Sequence, residues 1–259
     1  MGRFDDRTAI VSGAGGGIGR ACALLLAAEG ARVAVTDIAR DRAEETTALV
    51  RAAGGVAATY PADVTSGAEI NEVVASAERD LGPVTLAVGA AGIIRNRPFL
   101  ELPEEGWDAT MAVNLKGTFL LLQAAGRRAR EHGGGSMVAI ASVAGRGARP
   151  TSADYAASKA GVISLVRSAA QALAADGVRV NSVCPGVVDT DMTRAIHRER
   201  AAITGTTPEK SFAALAGQIP LGRTVSPGEV AETVAFLLSP TASYITAQAV
   251  NVCGGLEMD

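Results

Sequence analysis

What most constrains this chain is an alternation: seven short, apolar, largely β-branched runs are separated by longer stretches of helical character. The runs are Thr8–Ser12, Arg32–Thr36, Val56–Tyr60, Thr85–Gly89, Met137–Ala141, Arg179–Val183 and Ala249–Val252. They are apolar throughout rather than at alternate residues, the pattern of parallel strands covered on both faces. The helical stretches are Gly17–Ala28, Asp41–Ala53, Ala68–Leu81, Glu104–Glu131 (read as two helices), Ser152–Ala174 and Pro227–Leu238. The last opens with Ser226, Pro227 and Glu229, a capping box with proline at the first helical position. This alternation predicts an α/β fold, a doubly wound seven-stranded parallel sheet with helices on both faces. No linker-like composition or repeat divides it, so residues 1–259 read as one domain. Residues 190–219 break the rhythm: they are polar and helical, and they follow the carboxyl end of a strand. That position predicts a lid over a binding site.

Bulk composition closes off several classes. Hydrophobic residues make up 48% of the chain and aromatics only 3%, so Ala, Val and Leu must build the core. A net charge of -3 argues against a nucleic-acid partner. The short basic cluster Arg127, Arg128, Arg130 reads as a solvated helix end. Cys22, Cys184 and Cys253 are widely spaced, form no CxxC pair and are joined by only two histidines, His132 and His197. No metal site is expected, and each cysteine reads as a small buried hydrophobe. The start, MGRFDDRTAI, lacks a signal-peptide pattern. Apolar runs such as Ala21–Ala28 fall far short of the roughly 20 residues a membrane span needs. No membrane association is expected, and the default location is the reducing cytoplasm.

After the first run comes Ser12-Gly13-Ala14-Gly15-Gly16-Gly17-Ile18-Gly19, which opens directly into a helix. Glycines let the backbone turn sharply and let a pyrophosphate approach where a Cβ would clash. The helix start then offers free N–H groups to the phosphate. The strand before and the helix after make this a dinucleotide-binding signal of the Rossmann type. Gly13, Gly17 and Gly19 fit GxxxGxG; the commoner GxGxxG fails, because its last position falls on Ile18. No GxxxxGKS or GxxxxGKT is present, which disfavours a nucleoside triphosphatase. Asp37 ends the second strand about 20 residues after Gly17, where an acid can accept both adenosine ribose hydroxyls and repel a 2′-phosphate. This favours NAD over NADP. A helix-capping role for Asp37 stays open, and Arg40 and Arg42 leave room for a 2′-phosphate. Asp63, followed by Val64, either bonds an adenine amino group or caps a turn.

Tyr155-Ala156-Ala157-Ser158-Lys159 begins a long helical stretch, and a spacing of four puts the phenol and the ammonium on one face. A phenol has a pKa near 10 and is a poor base at neutral pH. A neighbouring ammonium is expected to lower that pKa, allowing Tyr155 to take or return an alcohol proton as a hydride moves. Taken alone, the pair also reads as a helix-surface pair. Ser142 ends the fifth strand, where its hydroxyl can polarise a carbonyl or merely close a turn. Asn114 sits mid-helix, where asparagine is a mediocre helix former. Its backbone is expected to open and hold a water toward Lys159.

These motifs resemble the short-chain dehydrogenase/reductase family over nearly the whole chain. The resemblance rests on Ser12–Gly19, Asp37, Asp63-Val64, Asn114, Ser142, Tyr155, Lys159, Asn181 and Pro185-Gly186. It implies a tetrad of Asn114, Ser142, Tyr155 and Lys159, with Lys159 also gripping the nicotinamide ribose. It implies cofactor contacts from Gly13, Gly16, Gly17, Ile18, Gly19, Asp37, Ile38, Asp63, Val64, Ala91 and Gly92. Pro185, Gly186 and Val188 would flank the nicotinamide, and Thr190 would bond its carboxamide or the phosphates. It implies a homotetramer packed through the Glu104–Glu131 and Ser152–Ala174 helices. Two departures stand out. Ser12 replaces the usual threonine, and Gly89-Ala90-Ala91-Gly92 replaces Asn-Asn-Ala-Gly, which removes two amides that normally support the sheet and its loops.

The substrate is a small molecule. Pocket walls are expected from Ile94 to Phe99, Val143 to Thr151, Val187 and the lid, with Ile94, Ser142, Val143, Arg149, Tyr155 and Val187 as contacts. Arg95, Arg97, Arg146 and Arg149 read as solvated loop arginines or as a meeting place for an anion. Asp37 and the long lid resemble polyol, vicinal-diol and sugar-alcohol dehydrogenases. The expectation is therefore NAD-dependent hydride exchange with a secondary alcohol or ketone, a polyol, diol or hydroxylated ring. The alternatives are an NADPH-dependent 3-oxoacyl-type ketoreductase and a non-catalytic dinucleotide-binding sensor or scaffold.

Overall fold

The computed structural model describes residues 2–258. Strands β1 (Thr8–Ser12), β2 (Arg32–Thr36), β3 (Val56–Thr59), β4 (Val84–Gly89), β5 (Gly135–Ile140), β6 (Val178–Pro185) and β7 (Ala249–Val252) form one sheet. Their order is β3-β2-β1-β4-β5-β6-β7, and every adjacent pair is parallel. Successive side chains of a strand face opposite sides. Ala9 and Val11 of β1 therefore pack with helices α1 (Gly17–Ala28), α2 (Arg40–Ala52) and α9 (Pro227–Leu238). Ile10, between them, packs with α3 (Gly67–Leu81) and α5 (Gly117–Glu131). Helix α6 (Ala153–Leu173) joins α5 over β5 and β6. The result is the expected single-domain Rossmann architecture. The chain order reverses between β1 and β4, so the loops after these two strands diverge to opposite faces and leave a crevice at the carboxyl edge.

The strand boundaries differ from the sequence reading by small amounts that matter for the site. β2 stops at Thr36 and leaves Asp37 just beyond the ladder; β3 stops at Thr59, so Asp63 lies in a loop. β5 stops at Ile140, so Ser142 lies two residues past the strand.

Two segments differ more. Glu104–Glu131 holds the two expected α-helices, but they are joined without a break into one rod. Helix α4 (Glu104–Met111) runs into a π-helical turn (Ala112–Lys116) and on into α5. Residues 190–219 contain two helices, α7 (Asp191–Thr204) and α8 (Pro208–Ala216), capped by the Thr190 and Thr207 hydroxyls. They pack on each other through buried His197, which shares a hydrogen bond of 3.0 Å with Ser211 and meets the Phe212 ring edge-on.

Cys22, Cys184 and Cys253 are buried and joined by no disulfide, as their spacing suggested. Burial lifts the Cys22 thiol to about 12. Among the described residues no helix is long and apolar enough to cross a membrane, and no acid, histidine and cysteine cluster is suited to a metal.

Asn181 ties the sheet edge to the C-terminal segment. Fully buried in β6, it donates to the Ile245 carbonyl at 2.9 Å and accepts from the Gln248 N–H at 3.0 Å. Asn181→Ala strands both backbone groups, so urea unfolding should show a loss of about 2–4 kcal/mol.

Candidate active site

The glycine loop is shaped by contacts that no side chain would permit. Gly13 takes a φ of +66°, and a Cβ there would lie 2.6 Å from the Ala91 backbone at the end of β4. A Cβ on Gly19 would lie 2.1 Å from the Gly13 carbonyl oxygen. These approaches press α1 against the strand ends. The start of α1 carries no side-chain cap, whereas α3, α7, α8 and α9 are capped by Ser66, Thr190, Thr207 and Ser226. Its first N–H groups thus face the crevice over a loop whose Gly13, Gly15, Gly16 and Gly17 carry no Cβ, a cradle that fits a dinucleotide pyrophosphate. Thr190 closes the ring: its methyl group would touch a Cβ on Gly17 at 3.4 Å.

Asp37 turns back toward this loop. Its carboxylate accepts from the Gly15 N–H at 2.9 Å and the Ala39 N–H at 3.0 Å. Ile38 beside it is largely exposed, at 73%. The Arg42 guanidinium lies over Gly16, where a Cβ would meet it at 2.6 Å. Asp63 spends one oxygen on the Thr65 N–H at 2.8 Å, which is the turn-capping role left open above. Val64 is buried against Gly117.

The polar groups expected to do chemistry gather at the ends of β4 and β5 and the start of α6. Lys159 is buried and donates from Nζ to the Ile140 carbonyl at 2.7 Å. That ammonium sits 5.7 Å from the centre of the Tyr155 ring. Ser142 is also buried, and its oxygen accepts from the Ala144 N–H at 3.1 Å at the start of a 3-10 turn. It forms a hydrogen bond with Tyr155 as well. Asn114 stands on the π-helical turn and is fully buried. Its amide clamps the loop after β4, accepting from the Ile93 N–H at 2.8 Å and donating to the Ile93 carbonyl at 3.0 Å. It also donates to the Ser158 hydroxyl at 3.0 Å. The expected backbone opening is there, but the freed Asn114 carbonyl accepts from the Thr118 hydroxyl at 2.7 Å. The same clamp supports the loop whose Asn-Asn pair is missing: Gly92 packs where a Cβ would lie 3.3 Å from Asn114 and 3.5 Å from Lys159 Nζ.

One electrostatic expectation is corrected. The Tyr155 phenol is raised above its ordinary value, because burial outweighs the hydrogen bond from Ser142 that pulls it down. Lys159 turns its ammonium to a carbonyl, and burial lowers it to about 8. Cys184 lies near both groups, where a thiolate would push both upward; as a small buried cysteine it gave no sign of this in the sequence.

The remaining expected residues divide into two groups. Pro185 and Gly186 end β6 against β7, with Gly186 donating to the Val252 carbonyl at 3.0 Å. Val143, Val187 and Val188 are buried. Ile94 is partly exposed on the loop after β4. Arg149, an expected substrate contact, is instead held by the Ala148 carbonyl and drawn toward Glu257 at 3.6 Å; Arg146 donates to the Ala249 carbonyl. Asn96 was missed. It is 3% exposed, and its N–H donates to Glu199 of α7 at 2.8 Å, while its amide oxygen accepts from Thr151 at 3.4 Å. A lone asparagine among loop arginines carries no sequence signal for this.

Comparison with known proteins matches residues 13–257 to a family model described as enoyl-(acyl carrier protein) reductase. The chain belongs to the short-chain dehydrogenase/reductase family. As a member it is an oxidoreductase of hydroxyl and keto groups, and the family implies a nicotinamide dinucleotide. It is 41% identical to a mouse (Mus musculus) (3R)-3-hydroxyacyl-CoA dehydrogenase, covering 99% of this chain and 98% of that protein. It is 36% identical to a 3-oxoacyl-(acyl-carrier-protein) reductase of Thermotoga maritima, covering 98% and 99%. Among solved structures it resembles a variant of the actinorhodin polyketide ketoreductase crystallised with NADPH, with a TM-score of 0.92, 38% identity and 98% coverage of both chains.

The lysine in this short-chain dehydrogenase/reductase makes stability depend on pH in a defined direction. Its value is 10.5 unfolded and about 8 folded, so between these the unfolded chain binds more protons and stability rises with pH. Lys159→Met removes this term. Its stability relative to the parent should therefore fall as pH rises from about 8 to 10.5, read by chemical unfolding at each pH.

Proposed function

We propose that this enzyme interconverts 3-oxoacyl and 3-hydroxyacyl thioesters with NAD(H). The observation that carries the reaction is the meeting of Ser142, Tyr155 and buried Lys159 at the carboxyl edge of the sheet, beside the glycine cradle. The named activities of the similar dehydrogenase and reductases support a thioester substrate. They favour the 3-oxoacyl alternative over the polyol, diol or hydroxylated-ring expectation.

When bound, the nicotinamide supplies or takes the hydride. Ser142 holds the substrate oxygen, and Tyr155 delivers its phenolic proton to that oxygen on reduction or accepts it on oxidation. Lys159 holds positive charge beneath the phenol and grips the ribose. This charge and that of the oxidised ring oppose the burial that raises Tyr155. Asn114 fixes Ile93, and with it the pocket loop. Ile94, Val143 and Val187 form apolar walls, and residues 190–219 act as the lid. Pro185, Gly186, Val188 and Thr190 flank the nicotinamide end; Ile38, Asp63 and Val64 flank the adenine. A partly exposed apolar face along the α4–α5 rod and α6, including Met111, Leu115, Phe119 and Leu165, supports self-association, in keeping with the homotetramer that the family resemblance implies. Three buried cysteines joined by no disulfide suit a reducing, cytoplasmic setting.

The NAD preference is supported by the Asp37 carboxylate, which is fixed by two N–H groups and would meet a 2′-phosphate with like charge. A second reading, NADPH, is favoured by Arg42 over Gly16 and by the cofactor in the ketoreductase crystal.

Acetoacetyl-CoA reduction followed at the nicotinamide absorbance tests the reaction. Tyr155→Phe should lower kcat by about 10³-fold while NADH binding, read by fluorescence, is retained. Near-normal turnover in that variant would refute the assigned role. The kcat/KM ratio of NADH to NADPH should exceed about tenfold and invert in Asp37→Ser, where the like-charge repulsion is gone and Arg42 is unopposed.

A further inference from the structure

Tyr155 stands in the first turn of α6, and that turn has no side-chain cap: Ser152, at the N-cap position, makes no such bond to it. The leading N–H groups of a helix have no partner within it, so an uncapped first turn frays. Another contact has to fix the direction of the phenol, and the residue before it supplies one. Asp154 is 1% exposed, and its Oδ2 accepts from the Thr110 hydroxyl of α4 at 2.6 Å. One turn further along, Asn114 donates its amide to the Ser158 hydroxyl at 3.0 Å. The spacing matches on both sides: Thr110 and Asn114 are four residues apart on the rod, and Asp154 and Ser158 are four apart on α6. Two polar rungs, about 6 Å apart along the axes, therefore join the rod to α6. Tyr155 lies between them.

The outer rung is built from a group that lowers stability where it stands. Oδ1 of Asp154 is buried and has no hydrogen-bond partner among the described residues. A carboxyl group buried with one oxygen unpartnered costs free energy that an apolar side chain of the same size would not. The inner rung shows no such loss. The Asn114 amide serves both Ile93 and Ser158, and the Ser158 hydroxyl donates in turn to the Tyr155 carbonyl at 2.8 Å. An unfavourable group kept next to the reacting residue marks a contact that serves placement rather than stability.

We infer that Asp154 and Thr110 are positioning residues for the proton transfer: their bond holds the first turn of α6 so that the Tyr155 hydroxyl points at Ser142. The inference rests on the role given to Tyr155 above. The two rungs govern different groups. Lys159 lies beyond the inner rung and is held separately by the Ile140 carbonyl at 2.7 Å. Asn114 keeps its bonds to Ile93 whether or not the outer rung is present. Loss of the outer rung lets the first turn pivot about Ser158, and of the reacting groups it moves Tyr155 alone. A misplacement of about 1 Å is enough to slow a step on the order of a hundredfold. The signature is a fall in turnover with the binding of substrate and dinucleotide preserved.

The test follows reduction by NADH in the parent, Asp154→Ala, Thr110→Val, the double variant, Asp154→Asn and Tyr155→Phe. Acetoacetyl-CoA and the plain ketone cyclohexanone are both used, because the rung concerns the carbonyl and not what carries it. Turnover is counted per NADH-binding site, titrated by fluorescence, so unfolded enzyme does not enter. Asp154→Ala should lower kcat between about ten- and a hundredfold and leave KM and the NADH dissociation constant within about twofold of the parent. Thr110→Val should show a similar loss, and the double variant no more than the worse single one, since either change breaks the same bond. Asp154→Asn keeps an oxygen for the Thr110 hydroxyl and should bring turnover back to within about threefold of the parent. A parent-like kcat in Asp154→Ala, losses that multiply in the double variant, or no recovery in Asp154→Asn would each overturn the rung. If Asp154→Ala binds no NADH, Thr110→Val and Asp154→Asn decide in its place. Near-normal turnover in Tyr155→Phe overturns the role of Tyr155 and the rung with it, whereas the expected loss there beside a parent-like Asp154→Ala removes the rung alone. Turnover of cyclohexanone without acetoacetyl-CoA overturns the thioester reading and leaves the rung to the same comparison.

Discussion

Every strand of this sheet points the same way, and both of its faces are buried under helices. Polar side chains that must stay near the core without an unpaired cost can collect only where the strands run out. The reversal of order between β1 and β4 opens the crevice at that edge. The contact between the Gly13 and Ala91 backbones then sets how closely the two halves meet. Asp37, Ser142, Thr190 and the loop to Asn96 all hang from the same edge. Their nearness is a property of the sheet before it is a property of any one residue.

Within the crevice, one physical effect acts on two groups in opposite directions. Removal from water raises the Tyr155 phenol and lowers the Lys159 ammonium, since each is pushed toward its uncharged form. The protein alone thus keeps the phenol protonated, and its hydroxyl remains a donor toward a substrate oxygen. The carbonyl of Ile140 holds the lysine in place without neutralising it. Lowering the phenol would take further positive charge beside it.

Much of this was legible in the residues. Apolar, non-alternating runs gave the parallel sheet, because a strand covered on both faces has no polar side to display. Glycine spacing gave the cradle, because a Cβ at Gly13 or Gly19 has nowhere to go. The gathering of Asn114, Ser142, Tyr155 and Lys159 was legible because each stands at a fixed place relative to the strand ends and to the start of α6. Contacts between distant loops were not. Asn96 and Glu199 are over a hundred positions apart, and neither breaks a local pattern. Arg149 looked like its neighbours until Glu257, from the far end of the chain, was brought beside it. The sign of the tyrosine shift was misjudged for a related reason: sequence spacing shows that an ammonium is near, but not how much water has been lost.

The π-helical turn at Ala112–Lys116 has a consequence for how this family member can vary. Such a turn holds one more residue than an α-helical turn of the same rise, so it is the natural place in the α4–α5 rod for a single-residue deletion. Losing one residue there would return the turn to α-helical geometry, so the rod stays continuous and the change in side-chain direction is confined to the turn itself. Asn114 would swing away from Ile93 and Ser158 while the apolar seam of α5 against the sheet stayed intact. A lineage could in this way discard the pocket clamp and keep the fold.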